Sequence, residues 1–147
     1  MSHTYARNYV HVIFSTRKRH RKLLAPIRPE LWAYIGGIAR EYGIHMLAIG
    51  GAEDHMHILI GLPPKISLAH AMRALKANSS KWMNENGHLF AWQEGYAAFS
   101  VSASSLADVT KYIENQPAHH AKKSFEEEFR GFLVRHGIEF DPKYVFG

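Results

Sequence analysis

The run Tyr9-Val10-His11-Val12-Ile13-Phe14 is rich in β-branched and aromatic residues and halts at Ser15-Thr16, which predicts a strand followed by a loop. Pro29 suits the first turn of a helix. Leu31, Ile35, Ile38 and Tyr42 then recur at helical spacing until Gly43 supplies a stop, with Gly36-Gly37 a local weak point. Ile44 to Ile49 and His55 to Leu62 read as two further strands, and Gly50-Gly51-Ala52-Glu53-Asp54 between them suits a hairpin connection, so this pair is expected to be antiparallel. Pro63-Pro64 ends the second of them. Ser67 is the expected cap of a long helix, along which Leu68, Met72, Leu75, Ser79 and Trp82-Met83 line one side as far as Asn86-Gly87. Tyr96 to Val101 alternates as a fourth strand. Ser105 and Asp108 resemble a capping box opening a short helix, which Pro117 forces to end near Gln116. Phe125, Phe129, Phe132 and Leu133 mark a last amphipathic helix before Gly137.

The order strand, helix, strand, strand, helix, strand is that of the split βαβ unit. The expected class is α+β, a ferredoxin-like or RRM-like sandwich: an antiparallel sheet with helices on one face and a C-terminal helical extension. No repeat, low-complexity tract or linker interrupts the pattern, so residues 1–147 are read as one domain.

Charge narrows the choice of partner. Eighteen Lys and Arg stand against thirteen Asp and Glu, a formal charge of +5 with pI ≈ 9.5, which favours a polyanion over a cation. The chain has no cysteine, so it has neither disulfides nor thiolate metal sites, and any metal must be held by His, carboxylate or amide groups. The longest apolar run, around Ile58 to Leu62, is far too short to span a bilayer, and the N-terminus lacks the apolar stretch of a signal peptide. A cytoplasmic protein with no membrane partner is the expectation.

Three sets of residues carry candidate chemistry. His55 and His57 flank Met56 on a predicted strand, so the period of two sends both imidazoles to one face, while Met56, Ile58 and Ile60 take the other. Two adjacent neutral imidazoles make half of a divalent metal site. With eleven histidines in the chain, about one such pair is expected by chance, and two hydrogen-bonded or surface histidines explain it equally well. Tyr112 and Gln116 lie four apart, hence on one helix face, while Val109 and Ile113 form a separate apolar stripe that can dock on the sheet. Tyrosine at helical spacing is commonly a packing residue, and a phenol with its usual pKa near 10 needs a metal or base beside it to attack phosphorus. The Gln116 amide oxygen is a third candidate ligand. The third set is basic: the block Arg17, Lys18, Arg19, His20, Arg21 and Lys22, followed by Lys65, Arg73, Lys76 and Lys81, any of which also reads as an ordinary solvated charge. Trp82 and Trp92 fit either base stacking or the core.

Taken together, these residues resemble the single-tyrosine transposases of bacterial insertion sequences within the HUH endonuclease superfamily, and their relatives the REP-associated tyrosine transposases. The resemblance rests on His11 to Thr16, Gly50 to His57, Trp92 to Tyr96, Tyr112 to Gln116 with His119-His120, and Gly137 to Asp141, and so runs over nearly the whole chain. It implies that His55, His57 and Gln116 bind Mg²⁺ or Mn²⁺ and that Tyr112 is the nucleophile. It further implies cleavage and rejoining of single-stranded DNA at hairpin-flanked element ends through a 5′-phosphotyrosine link, by a homodimer whose tyrosine serves its own or its partner's histidines. The loop residues Arg17, Lys18, Arg19, Arg21 and Lys22 are the candidate DNA contacts. Asp54 is expected either to orient an imidazole or to serve the turn, and His119 and His120 to lie at the surface or on the DNA backbone. Ser102 to Ser105 and Pro117 are candidate joints for movement of the tyrosine helix.

Two rival readings remain at this level. One is a non-catalytic or domesticated nucleic-acid-binding module, since the same sheet with basic loops serves RNA recognition. The other is a metal-dependent phosphoesterase in which water attacks, so that Tyr112→Phe retains activity.

Overall fold

The computed structural model describes residues 3–120, 123–142 and 145. Among these residues, β1 (Tyr9–Ser15), β2 (His45–Gly51), β3 (His55–Gly61) and β4 (Ala97–Val101) form one sheet in the order β2-β3-β1-β4, with each neighbouring pair antiparallel. β1 and β2 thus run parallel with β3 inserted between them, and α1 (Arg28–Glu41) and α2 (Leu68–Glu85) make the two crossovers. This is the expected split βαβ, α+β arrangement.

Alternation decides which residues meet these helices. Val10, Val12 and Phe14 of β1 and Met56, Ile58 and Ile60 of β3 share one face. They pack against Leu31, Ile35 and Ile38 of α1 and Met72, Leu75 and Met83 of α2. Full burial of such side chains contributes about 1.5–3 kcal/mol each, so this face is the main source of stability. The Ser67 hydroxyl caps α2 by accepting from the His70 amide at 3.1 Å. Trp92 belongs to this core: its ring lies against Phe14, and its Nε1 donates to buried Ser79 Oγ at 2.9 Å. Trp82 is half-buried and stacks on Tyr34 between α2 and α1.

The C-terminal extension crosses to the opposite face. It comprises α3 (Leu106–Glu114), α4 (Gln116–His120) and α5 (Phe125–Arg135). Ile113 of α3 packs on Ala48 and Leu59, while Phe125 and Leu133 of α5 pack on Ile13 and Phe99. β3 is therefore covered on both sides and its residues 55–60 are all buried, which accounts for its nearly unbroken apolar run. A bulge at Leu47 lets Leu47 and Ala48 both serve this second face, while Met46 and Ile49 serve the first.

Three local expectations are corrected. Gly50 and Gly51 are the last residues of β2 rather than the turn, and a Cβ on Gly50 would overlap the Ile113 carbonyl oxygen, so glycine there lets the backbone of α3 lie directly on the strand. Ser105 does not cap α3 with its side chain, because residues 103–105 already form a 3-10 turn and Ser105 has helical dihedrals. Nor does Pro117 end the helical path. The interruption falls at Asn115, and Pro117 sits at the second position of α4, where its missing N–H costs nothing.

Candidate metal and nucleophile site

The second face of the sheet carries the site. His55 and His57, both fully buried, project from β3 beneath α3, α4 and α5. The i to i+4 relation holds Tyr112 and Gln116 on one side, with Gln116 Nε2 donating to the Tyr112 carbonyl at 3.4 Å. The Gln116 amide oxygen then faces His55 Nε2 at 3.3 Å. The four residues singled out from sequence as metal ligands and nucleophile therefore meet in one place.

Two further residues complete the cluster. Glu128 of α5 is buried, with Oε1 3.0 Å from His57 Nε2 and 3.8 Å from His55 Nε2. Its Oε2 accepts from the Tyr112 hydroxyl and lies 3.2 Å from His119 Nε2. His11 of β1 is buried with Nε2 2.8 Å from His57 Nδ1. Of the two, His11 was readable from strand alternation, whereas Glu128 carried only a faint signal. Strand alternation puts His11 on the face opposite Val10 and Val12, and Glu128 falls on the Phe125, Phe129, Phe132 stripe of its helix, where a carboxylate is out of place unless it has partners. His119, expected at the surface or on DNA, instead edges the Tyr112 ring at 5.1 Å between centroids. The side chain of His120 lies outside the described residues.

The electrostatics follow from this packing. Asp54 Oδ1 lies 2.8 Å from His55 Nδ1. Burial alone would raise the Asp54 carboxyl, but the His55 hydrogen bond and charge, with Arg19 nearby, hold it below its ordinary value. An ionised Asp54 accepts a hydrogen bond from His55 Nδ1–H, and in that tautomer of the ring the Nε2 lone pair points at the oxygens of Gln116 and Glu128. Three acceptor atoms converging in this way form a group that could hold a cation. His55, His57 and Glu128 offer ligand atoms all within 4.8 Å of one another, and the Asp54–His55 pair is the usual orienting arrangement behind a metal-bound imidazole. Burial and the neighbouring His57 lower His11 to about 3, so it stays neutral, free to give His57 Nδ1 a proton or accept one. Burial first, then the hydrogen bond to Glu128 and its charge, push the Tyr112 phenol far above its ordinary value. As held, Tyr112 is favoured as the phenol, with its hydroxyl donating to Glu128.

α5 roofs the site. Phe125 stacks on the His55 ring at 4.1 Å, and Phe132 meets His11 edge-on at 5.2 Å. Ser124 caps α5 by accepting from the Glu127 amide, and Glu126, Glu127 and Glu128 fill its first turn, where the helix dipole favours negative charge.

Beside it lies the basic block. Arg17–Arg19 form a single 3-10 turn in which Lys18 and Arg19 both take left-handed dihedrals, φ 53° each, at a cost of roughly 1–2 kcal/mol per residue. The turn is held by Thr16 Oγ1, which donates to His20 O and Asp54 O, and by the Lys18 amide, which donates to Gln93 Oε1. Arg17, Lys18, Arg21 and Lys22 are exposed. Arg19 pairs with Glu126 at 2.5 Å and Arg21 with Glu53 at 3.5 Å. Lys76 is tied down elsewhere, its Nζ donating to the carbonyls of Gln93 and Gly95. No helix of the described residues is long and apolar enough to cross a membrane.

Comparison with known proteins gives a consistent picture. The family model described as "Transposase IS200 like" matches residues 4–116. The chain is 27% identical over 116 residues to the ISDra2 transposase TnpA of Deinococcus radiodurans, covering 72% of this chain and 81% of that protein. It is 25% identical over 124 residues to the transposase for insertion sequence element IS200 of Salmonella typhimurium, covering 79% and 81%. Among solved structures, a Deinococcus radiodurans R1 protein assigned as a transposase superposes with a TM-score of 0.63 at 26% identity, covering 79% of this chain and 96% of that one. A REP-associated tyrosine transposase bound to a REP hairpin superposes with a TM-score of 0.62 at 19% identity, covering 82% and 73%, a likeness of fold.

Proposed function

The chain belongs to the IS200-like transposase family, and from that premise we propose that it cleaves and rejoins single-stranded DNA through a covalent Tyr112 link in a divalent-metal site. The observation that carries this reading is the meeting of His55, His57, Tyr112 and Gln116 around the buried carboxylate of Glu128. The donor set of two imidazoles, one carboxylate and one amide oxygen can hold a divalent cation, and its oxygen donors are of the kind that take Mn²⁺ or Mg²⁺. His55, His57 and Glu128 would hold the ion, with Gln116 at its edge. A cation held there would supply charge stabilisation for the pentavalent phosphorus and would offset the Glu128 charge, which with burial raises the Tyr112 phenol.

The protein's own groups do the rest. Asp54 and His11 fix the orientation of the two imidazoles from behind. As the Tyr112 oxygen bonds to phosphorus its proton passes to Glu128, the P–O3′ bond breaks, and the departing oxygen takes up a proton to leave as a 3′-OH. The phosphate stays on Tyr112 as a 5′-phosphotyrosine, whose bond energy is retained for attack by a 3′-OH from another end. Tyr112 lies against its own chain's His57, with ring centroids 5.8 Å apart. This supports a reaction completed within one chain; a homodimer with exchanged tyrosines would require α3 to leave this position. Action on element-end hairpins places the protein with the chromosome in the cytoplasm.

The test is denaturing gel analysis after mixing the protein with labelled single strands from both flanks of its gene and Mn²⁺. A slow, protease-sensitive adduct, absent with Tyr112→Phe and with EDTA, is the expected result. Cleavage that survives Tyr112→Phe points to a water-using phosphoesterase. Binding with no adduct from any flank favours the binding-module reading, which the closure of the site under α5 supports.

A further inference from the structure

Between the basic turn and the N-terminal end of α5 lies a cleft of about 640 Å³, lined among others by Arg19, Arg21, Arg28, Asp54, Pro117 and Phe125. Three guanidinium groups border it against the carboxylates of Glu53, which pairs with Arg21, and Asp54; Arg28 is oriented by donating its Nε to the Leu23 carbonyl at 2.7 Å, which leaves its two terminal nitrogens for other partners. Asp54, the hydrogen-bonding partner of His55, is part of its wall, so a chain lying in it passes one residue from the candidate metal-binding histidines. The turn that supplies Arg19 is pinned in left-handed dihedrals by Thr16 and Gln93, so it is a built feature and not a slack charged loop.

We propose that this cleft is the path by which a single DNA strand enters the site, and that a backbone phosphate displaces Glu126 from Arg19, releasing the N-terminal turn of α5 that roofs the histidines. This rests on the single-strand reading above. The Arg19–Glu126 pair is the exchangeable element. Both side chains keep contact with solvent, at 33% and 40% exposure, so a phosphate can reach the guanidinium without unfolding anything. A phosphodiester matches the two parallel N–H donors of a guanidinium as well as a carboxylate does and brings its neighbours to Arg21 and Arg28. Once Glu126 lets go, the first turn of the roof is held by Phe125 on His55 and by the contacts of Glu128, while Phe132 and Leu133 keep the rest of α5 on the sheet. Strand binding and uncovering of the site are then one event.

The two members of the pair must respond in opposite directions. With a short fluorescein-labelled oligothymidylate as probe, read by anisotropy, Arg19→Gln and Arg21→Gln each weaken binding about three- to tenfold and flatten the salt dependence by about 0.7 in log–log slope. Glu126→Gln, which removes the competitor, tightens binding about two- to fivefold. Hydrogen exchange of the amides within residues 125–135 speeds up in the wild-type protein when the oligothymidylate is added. Weaker binding by Glu126→Gln, unchanged binding by the arginine variants, no wild-type binding at low salt, or slower exchange of α5 on binding would each overturn the proposal. Should Arg19→Gln fail to fold, Arg21→Gln, whose side chain is 80% exposed, carries the test. Failure of the cleavage reading is distinguishable: strand binding that opens α5 without any Tyr112 adduct refutes the chemistry alone. An adduct formed while all three variants bind equally refutes the cleft alone.

Discussion

Replacing Gly50 with alanine should disable the protein from a position that bears no reactive group. The added Cβ would overlap the Ile113 carbonyl oxygen, with the Ile113 carbonyl carbon 3.0 Å away and its Cγ2 3.2 Å away. Ordinary contact begins near 3.4 Å, so α3 must withdraw from β2 by about 1 Å, since backbone on both sides leaves no flexible side chain to yield. Tyr112 is the neighbour of Ile113 and moves with it. Overpacking of this kind costs about 1–3 kcal/mol, and a misplacement of about 1 Å at a reacting group costs on the order of a hundredfold in rate. The measurements are thermal unfolding and the rate of Tyr112 adduct formation on a cleavable strand. Gly36→Ala is the control: nothing lies within 4 Å of a Cβ there, and removing an interior helical glycine should stabilise the protein by about 0.5–1 kcal/mol. A Gly50→Ala protein that melts and reacts like wild type would refute the argument that α3 is seated on the bare strand.

Other outcomes follow from the same geometry. Glu128→Ala should weaken Mn²⁺ binding, measured by calorimetry, by more than tenfold, and Asp54→Asn by about tenfold through loss of the orienting bond to His55; equal affinity in either would remove that residue from the site. Acid should destabilise the fold in a window set by His11. Its folded value of about 3 lies below its ordinary 6.5, so between these values the unfolded chain binds the extra proton and stability falls as pH falls. The loss is of the order of 3 kcal/mol at about pH 4. Denaturant melts against pH should show this slope, and His11→Gln should flatten it; an unchanged slope would assign the acid limb to other groups.

Much of this fold could be read along the chain because its strands alternate cleanly: Val10, Val12 and Phe14 against His11 and Ile13, Met56 and Ile58 against His55 and His57. That same alternation placed both metal-candidate histidines on one face and, followed on β1, would have added His11. What the sequence did not disclose were relations set by tertiary contact. Gly50-Gly51 looks like a turn, and only the crossing of α3 explains why it is strand. Asn115 gives no warning that the helix restarts with Gln116 turned inward, because Pro117 reads as a stop and proves to be a start. Glu128 sits in an acidic run that resembles any solvated first turn, and its burial depends on α5 folding back over a face that local pattern treats as finished.

The division of the site between the split βαβ unit and the C-terminal extension also sets a timetable for biosynthesis. β4 completes the sheet at Val101, whereas the residues that cover its second face continue to Arg135. At the usual rates of synthesis that gap lasts roughly two to seven seconds. At its start Ile13, Leu59 and Phe99 have no cover, and His55 and His57 stand beside Asp54 with Tyr112 and Glu128 still to be made. A nascent chain is thus sticky but chemically harmless, and it acquires its nucleophile only in the stretch that also closes the roof.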